Sequence, residues 1–144
     1  MNAPINIRAF TIADYAAAHA LWSSIEGMGL NESDTSEAIA SFLNRNPSFS
    51  AVALDSAGTV VGTILCGHNG RAGSINHLAV AQACRRRGLG KRLVEYAFAK
   101  LADAGIPRCN IFVYNDNHGG NDFWLRNGWV DPSTWRVLQK HVQA

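Results

Sequence analysis

One short segment limits what this chain can fold into more than any other: an apolar strand that leads through a basic, glycine-containing loop into a helix. The strand ends at Leu78-Ala79-Val80, and the loop reads Arg85-x-x-Gly88-x-Gly90 before apolar residues recur at helical spacing. A helix N-terminus presents unpaired amides and a partial positive charge, and glycines let the backbone approach an anion closely. The segment therefore predicts a phosphate site formed by Arg85, Arg86, Arg87, Gly88, Leu89, Gly90 and Lys91.

The distribution of charge indicates what kind of anion binds there. Net charge is only +2, yet five of the thirteen lysine and arginine residues lie in one stretch, namely Arg85, Arg86, Arg87, Lys91 and Arg92. A local basic patch on a nearly neutral protein favours a compact anion over a long polyanion, so no nucleic-acid partner is expected. The other interpretation of these charges is a solvated basic helix end. The loop lacks the Gly-Lys-Ser/Thr ending of nucleoside triphosphatases and the glycine spacing of dinucleotide folds, which disfavours both classes.

Cysteine content indicates the compartment, and apolar content indicates the size of the core and any membrane segment. The three cysteines, Cys66, Cys84 and Cys109, are far apart and not combined with histidines at metal-ligand spacing, so we expect a reducing cytoplasm and no metal. No apolar run approaches the roughly 18 residues that cross a bilayer, so no membrane association is expected. A chain of 144 residues, 47% of them apolar, is long enough for a single domain spanning 1–144.

Hydrophobic periodicity predicts the order of the elements. Thr11, with Asp14 three residues later, is the expected cap of a first helix, and Ser33 or Asp34 caps a second. The expected strands are 5–10, 49–54, 60–66, 74–80 and 111–114, and the expected helices end near positions 26, 46, 104 and 126. A tail that starts at Trp129 can add one or two strands. The sequence thus predicts an α+β fold with a mixed, mostly antiparallel sheet of six to seven strands and about four helices.

Two motifs, taken together, resemble a known family. The strand, the Arg-x-x-Gly-x-Gly loop and the helix run without a gap from Ile75 to Tyr96, and a second motif follows: Asn117-x-x-Gly120-x-x-Phe123-Trp124-x-x-x-Gly128-Trp129. This combination resembles the GNAT superfamily of acetyl-CoA-dependent N-acetyltransferases, and the order of elements agrees with that family over nearly the whole chain. The resemblance implies a GNAT-like single domain that takes acetyl-CoA as acyl donor and uses no metal.

The resemblance also implies where acetyl-CoA binds. Leu78, Ala79 and Val80 are expected to offer backbone hydrogen bonds to the pantetheine arm and the thioester carbonyl, and the Val80 amide can stabilise the developing oxyanion. Backbone amides from Arg86 to Lys91 are expected to hold the pyrophosphate. Asn117 is expected to contact the pantetheine, while Phe123 and Trp124 lie beside the thiol end.

Two positions depart from the family pattern. Many relatives have a tyrosine general acid where this chain has Trp124, whose indole N–H is a donor but releases no proton usefully near neutral pH. Trp124 is therefore expected to shape the acyl pocket. Some relatives have a glutamate base where this chain has Phe112. Tyr114 is a candidate acid, with an ordinary aromatic residue at a strand end as the other interpretation.

Two further residues are candidates for binding the acceptor. Glu26, at the end of the first helix, can bind an amine, or it is a solvated helix end. His77, in the strand that leads into the phosphate loop, can contact the acceptor and relay a proton, or it is a packed sheet residue. The two short helices that precede the central strands are either a mobile lid or plain scaffold.

The functional prediction is direct transfer of an acetyl group from acetyl-CoA to a primary amine of a small molecule, an amino acid or a peptide N-terminus. The alternative is a non-catalytic acyl-CoA sensor on the same fold, because Trp124 and Phe112 replace the usual acid and base. A homodimer through Trp129 and Trp135 is possible on the sequence, and core packing is the other interpretation of these two residues.

Overall fold

The computed structural model describes residues 4–132 and 134–142. The chain forms two compact units, Met1–Phe112 and Val113–Ala144. The first unit contains a five-stranded sheet whose strands lie in the order of the sequence, and three helices. The second contains one helix. No helix in the described part of the chain is long and apolar enough to span a membrane.

The sheet consists of β1 to β5 in spatial order. Three antiparallel pairings connect the first four strands, and a parallel pairing joins β4 to β5. The parallel pair needs a crossover connection, which a helix supplies. The strands are β1 (Asn6–Ala9), β2 (Ala51–Leu54), β3 (Val60–His68), β4 (Gly73–Val80) and β5 (Cys109–Ile111).

The described residues contain four α-helices, which confirms the predicted number. They are α1 (Tyr15–Ser24), α2 (Ser36–Arg45), α3 (Leu89–Asp103) and α4 (His118–Arg126). Short 3-10 turns precede α1, α2 and α3 at Ile12–Asp14, Glu32–Asp34 and Gln82–Cys84. The second helix begins at the Thr35 cap, whose side chain accepts the Ala38 amide, so the expected cap at Ser33 or Asp34 was wrong by one or two residues.

The crossover helix α3 lies close against the sheet because glycines face it. Its buried residues, Leu89, Leu93, Ala97 and Leu101, recur every four residues and form one apolar stripe. A Cβ on Gly62 of β3 would lie 3.1 Å from Leu93 Cδ1, and one on Gly73 of β4 would lie 2.8 Å from Leu101 Cδ2. Glycine at these two positions therefore allows the contact that fixes the start of α3 near the end of β4.

The sheet is mixed, as predicted, but the expectation of six to seven mostly antiparallel strands was wrong, because the described residues contain five. The residues after Trp129 that were expected to add strands form none in the described part of the tail. Their large apolar side chains are exposed, as for Val137, Leu138 and Val142. A strand there would need a buried face, and this segment buries none.

Candidate active site

The C-terminal half of β4 has an open backbone edge. Ala81 donates its amide to the Val61 carbonyl, and Val80 pairs with Gly62. Hydrogen-bonded and non-hydrogen-bonded pairs alternate in an antiparallel ladder, so the amide and carbonyl of Val80 point away from β3. On that side β5 pairs only with Gly73, Ser74 and Ile75. Positions 76–80 of β4 therefore have no strand partner there among the described residues, and their outward groups can bind an extended ligand.

The loop after β4 is tied back to the strand end. Arg85, which follows the Gln82–Cys84 turn, donates from Nε to the Val80 carbonyl at 3.0 Å. That contact occupies the outward carbonyl of Val80 and leaves its amide for another acceptor. Arg85, Arg86, Arg87 and Lys91 are all exposed, so their charges surround the start of α3 without sealing it.

The N-terminus of α3 is uncapped and open to an anion. Its N-cap Gly88 is left-handed at φ 74°, and no side chain caps the helix, so the first-turn amides are left for an outside acceptor. A Cβ on Gly88 would meet no atom within 4 Å, which shows open space beside the backbone. Arg86 is also left-handed at φ 64°, a conformation that costs energy for a residue with a side chain. Open space, free amides and nearby arginines are what a diphosphate requires.

His77 lies at an irregularity in β4 next to this open edge. Thr63 pairs with Ala79 and Leu65 pairs with Asn76, so His77 and Leu78 lie opposite the single residue Ile64. This β-bulge gives His77 a φ of 50° and turns its carbonyl toward Thr63, which donates from Oγ1 at 2.9 Å.

The His77 ring is held by two elements that are remote in sequence. Its Nε2 lies 2.6 Å from Oδ1 of Asp34, in the turn before α2, and the two side chains are only 15% and 10% exposed. The Trp22 ring from α1 packs on the imidazole at a centroid distance of 4.7 Å, and the Trp22 indole donates to Thr63 Oγ1 at 2.9 Å. Tyr15 donates to the Asp34 carbonyl at 2.6 Å.

The second unit contains the remaining predicted residues. Asn117 caps α4 by accepting the Gly120 amide at 3.1 Å, and Tyr114 accepts from the Asn117 amide while its side chain is 62% exposed. Trp124 packs edge-on against Phe123 and against the Trp129 ring, each at 5.0 Å. The second motif therefore forms one aromatic cluster behind a capped helix.

The strand, loop and helix combination and the aromatic cluster lie within the range matched by a family profile. The profile of the acetyltransferase (GNAT) family matches residues 15–129. The chain belongs to this family.

Sequence and structural relatives agree with the membership. An acetyltransferase from Yersinia enterocolitica is 31% identical over 113 residues, covering 78% of this chain and 79% of that protein. The crystal structure of Ard1 from Thermoplasma volcanium superposes with a TM-score of 0.77 at 21% identity, over 88% of this chain and 82% of that one. PaiA N-acetyltransferase from Thermoplasma acidophilum, solved with coenzyme A, gives 0.73 at 20% identity, over 87% and 89%.

In this acetyltransferase the described residues include no cluster of acidic, histidine or cysteine side chains that could hold a metal ion. All three cysteines are free. Burial raises the pKa of Cys66 to about 12, with a smaller contribution from the charge of Cys109, and burial raises the pKa of Cys109 to about 11. Neither thiol is a nucleophile near neutral pH, because only the thiolate attacks.

The structure brings some of the predicted acetyltransferase residues together and leaves others apart. Leu78, Ala79 and Val80 end the strand that leads through the loop into the start of α3 at Lys91, all within the first unit, and the side chains of Ala79 and Leu89 are buried. Glu26 is exposed in the turn after α1 and makes no hydrogen bond or ion pair with His77. The sequence interpretation did not find Asp34, Trp22 and Thr63 as partners of His77. The only signal was the Asn31 to Asp34 capping box, which marks Asp34 as an ordered acid.

Proposed function

We propose that this acetyltransferase transfers the acetyl group of acetyl-CoA directly to a primary amine, which is a small molecule, an amino acid or a peptide N-terminus. The observation that carries the proposal is the continuity of the open edge of β4 with the uncapped start of α3. An extended arm with a diphosphate at one end and a thioester at the other matches that surface. Members of this family act on amine or peptide acceptors.

Each part of the surface has an assigned role in the proposal. The edge formed by Leu78, Ala79 and Val80 holds the pantetheine arm, and the outward Val80 amide donates to the thioester carbonyl, where negative charge develops during transfer. The pyrophosphate lies around Gly88 in this proposal. It is held by amides and side chains of the loop from Arg85 to Lys91, which includes Leu89 and Gly90. No metal takes part.

The proposal also assigns roles to residues of the second unit, on the basis of the family resemblance. Asn117 contacts the pantetheine through its amide nitrogen, because its side-chain oxygen already caps α4. Phe123 and Trp124 form a wall at the thiol end, and Tyr114 is the proposed proton donor to the departing thiolate. Glu26 and His77 face the acceptor. The family match from 15 to 129 spans both units, which supports one functional domain over 1–144.

A non-catalytic acyl-CoA sensor is the second candidate function. Its support is that Trp124 cannot act as an acid and that Phe112 carries no proton-accepting group. The proposal also places the protein in a reducing cytoplasm, which the free thiols support. It further includes self-association through the segment that contains Trp129 and Trp135, which sedimentation can test.

Calorimetric titration with acetyl-CoA and with desulfo-CoA tests the site first, followed by an amine screen. We expect micromolar binding and CoA release that depends on the amine. Release should be followed by chromatography, because Cys84 is a partly exposed free thiol that can react with colorimetric thiol reagents. Turnover with any amine excludes the sensor, binding without turnover favours it, and the absence of binding at millimolar CoA refutes both.

A further inference from the structure

The Asp34 and His77 pair is a polar contact that the fold maintains at some cost. Both side chains are largely removed from water, and burying such groups is unfavourable unless they bond to each other. The bulge also holds His77 in the left-handed region, which the residues of a regular strand do not occupy. Strained and buried polar residues of this kind concentrate at functional sites.

The contacts define which ring nitrogen is available. Nε2 faces the Asp34 carboxylate at 2.6 Å, so it carries the hydrogen and donates to Oδ1. Nδ1 then has a lone pair. Among the described residues, no polar side-chain atom that is sealed from solvent lacks a partner, and no described side chain bonds Nδ1. Nδ1 therefore reaches solvent.

The Asp34 carboxylate is itself fixed. Its Oδ2 accepts the Asn31 amide at 2.9 Å within the capping box, and the Tyr15 hydroxyl bonds its backbone carbonyl. A carboxylate held against one imidazole nitrogen keeps the ring in one tautomer and stabilises the imidazolium that forms when the other nitrogen takes a proton.

The neighbouring groups do not compete for that proton. In the part of the chain that the structure describes, the titratable side chains that contact the ring or the Trp22 ring packed on it are Asp34, Tyr15 and His19. His19 lies beyond Trp22, with ring centroids 6.5 Å apart, and Tyr15 faces the backbone of Asp34. β3 contributes Thr63, which does not titrate, and that residue bonds the His77 carbonyl.

We propose that His77, oriented by Asp34, is the proton acceptor for the amine substrate, and that the acceptor therefore arrives as an ammonium ion. This inference rests on the proposed function above. His77 directly precedes the Leu78-Ala79-Val80 edge assigned to the thioester. Extended residues advance about 3.3 Å each and the bulge shortens the path, so at most roughly 10 Å separates His77 from Val80, a span that this proposal assigns to the amine, the acetyl group and one water.

The proton and electron balance is as follows. Nδ1 takes one proton from the ammonium, directly or through a water, and the neutral nitrogen lone pair then forms the bond to the thioester carbonyl carbon. The carbon–sulfur bond breaks, the sulfur keeps its electron pair and gains one proton, and the nitrogen loses its second proton. His77 returns its proton to solvent, so the products are the amide, free CoA and one proton.

His77→Asn is the sharpest test, because asparagine tolerates the left-handed backbone but accepts no proton. We expect kcat/KM for the acceptor to fall by about 100-fold or more near neutral pH, with CoA affinity unchanged. In the wild type, kcat/KM should level off below the pKa of the acceptor amine. In His77→Asn it should keep rising with pH up to that pKa, because only the free amine reacts. Asp34→Asn should lower the rate less. Leu101→Ala, a buried residue on α3, controls for lost stability and should keep the wild-type pH profile.

Two further measurements keep the test decisive if His77→Asn folds poorly. His77→Gly fits the same backbone conformation, and added imidazole should restore its rate, which a purely structural role would not allow. A wild-type kcat/KM profile without an acidic limb overturns the dyad, and so does a wild-type profile in His77→Asn. Failure of the wild type to bind CoA would instead refute the proposed function.

Discussion

Gly88→Ala is the substitution that tests the phosphate site most directly. The residue is the left-handed N-cap of α3, and a methyl group there would meet no protein atom within 4 Å. In the free protein the methyl group therefore costs only backbone strain. In the complex it enters the space assigned to the pyrophosphate.

The same helix provides a matched control. Gly105, just after the end of α3, has a φ of 75° against 74° for Gly88, and a Cβ there also meets nothing within 4 Å. Left-handed alanine costs roughly 1–2 kcal/mol, so both variants should lose about 2–8 °C in melting temperature. Only Gly88→Ala should affect the ligand.

The expected effect on CoA follows from one lost contact. A methyl group beside the first-turn amides prevents at least one charge-assisted hydrogen bond to phosphate, worth about 1.5–3 kcal/mol. This corresponds to a dissociation constant raised about 10- to 100-fold, since 1.4 kcal/mol is tenfold. Calorimetry with desulfo-CoA measures binding, and thermal denaturation measures the stability of both variants.

A CoA affinity of Gly88→Ala equal to that of the wild type would refute the reasoning, because it would show that the space beside Gly88 receives no phosphate. A loss of affinity in Gly105→Ala as large as in Gly88→Ala would refute it too. The effect would then come from the stability of α3 and not from the N-terminal site.

Three other outcomes follow from the structure. Hydrogen bonds from Arg8, at 2.8 Å each, lower the pKa of Asp14 in the folded protein. The contribution of this ion pair to the free energy of unfolding is therefore complete above the ordinary Asp pKa of 3.8, and it is lost as pH falls through the lower pKa of the folded state. Asp14→Asn should cost about 1–2 kcal/mol at pH 7, reduced from the full charged-bond value because Arg8 is 43% exposed, and the gap should close in denaturant titrations below about pH 4. Gly67→Ala would place a Cβ 2.6 Å from Nδ2 of the buried Asn46, so we expect about 1–3 kcal/mol of destabilisation, and an unchanged melting curve would contradict this packing. Because the pKa of Cys66 is raised to about 12, iodoacetamide at pH 8 should label it only after unfolding, as mass spectrometry of the intact protein can show.

The central part of the fold could be predicted because local signals and burial agree there. β3 is an apolar run that is buried almost throughout, and the four-residue stripe of α3 specifies one buried face. A capping box from Thr11 to Asp14 is present, with the Asp14 carboxylate accepting the Thr11 amide, although it begins the 3-10 turn before α1 and not α1 itself. The tail misled the prediction because its apolar residues suggest strands, although Leu138 and Val142 bury almost nothing.

The strand, loop and helix to which phosphate binding is assigned could be predicted as structure because their residues are contiguous, while phosphate binding itself stays a prediction. The surroundings of His77 could not be predicted. Its partner Asp34 is 43 positions away and also serves as a capping residue, and sequence spacing does not reveal that β4 bulges at His77. The roles of Tyr114, Asn117, Phe123 and Trp124 stay predictions.

The unpaired side of β4 has a consequence for handling the protein. An unpaired strand edge is a template on which another chain can add a strand, so the ligand-free protein should aggregate more readily than the CoA complex. Positions 76–80 include no lysine and no proline, the residues that commonly protect such edges. Purification and storage with CoA should therefore improve solubility as well as thermal stability.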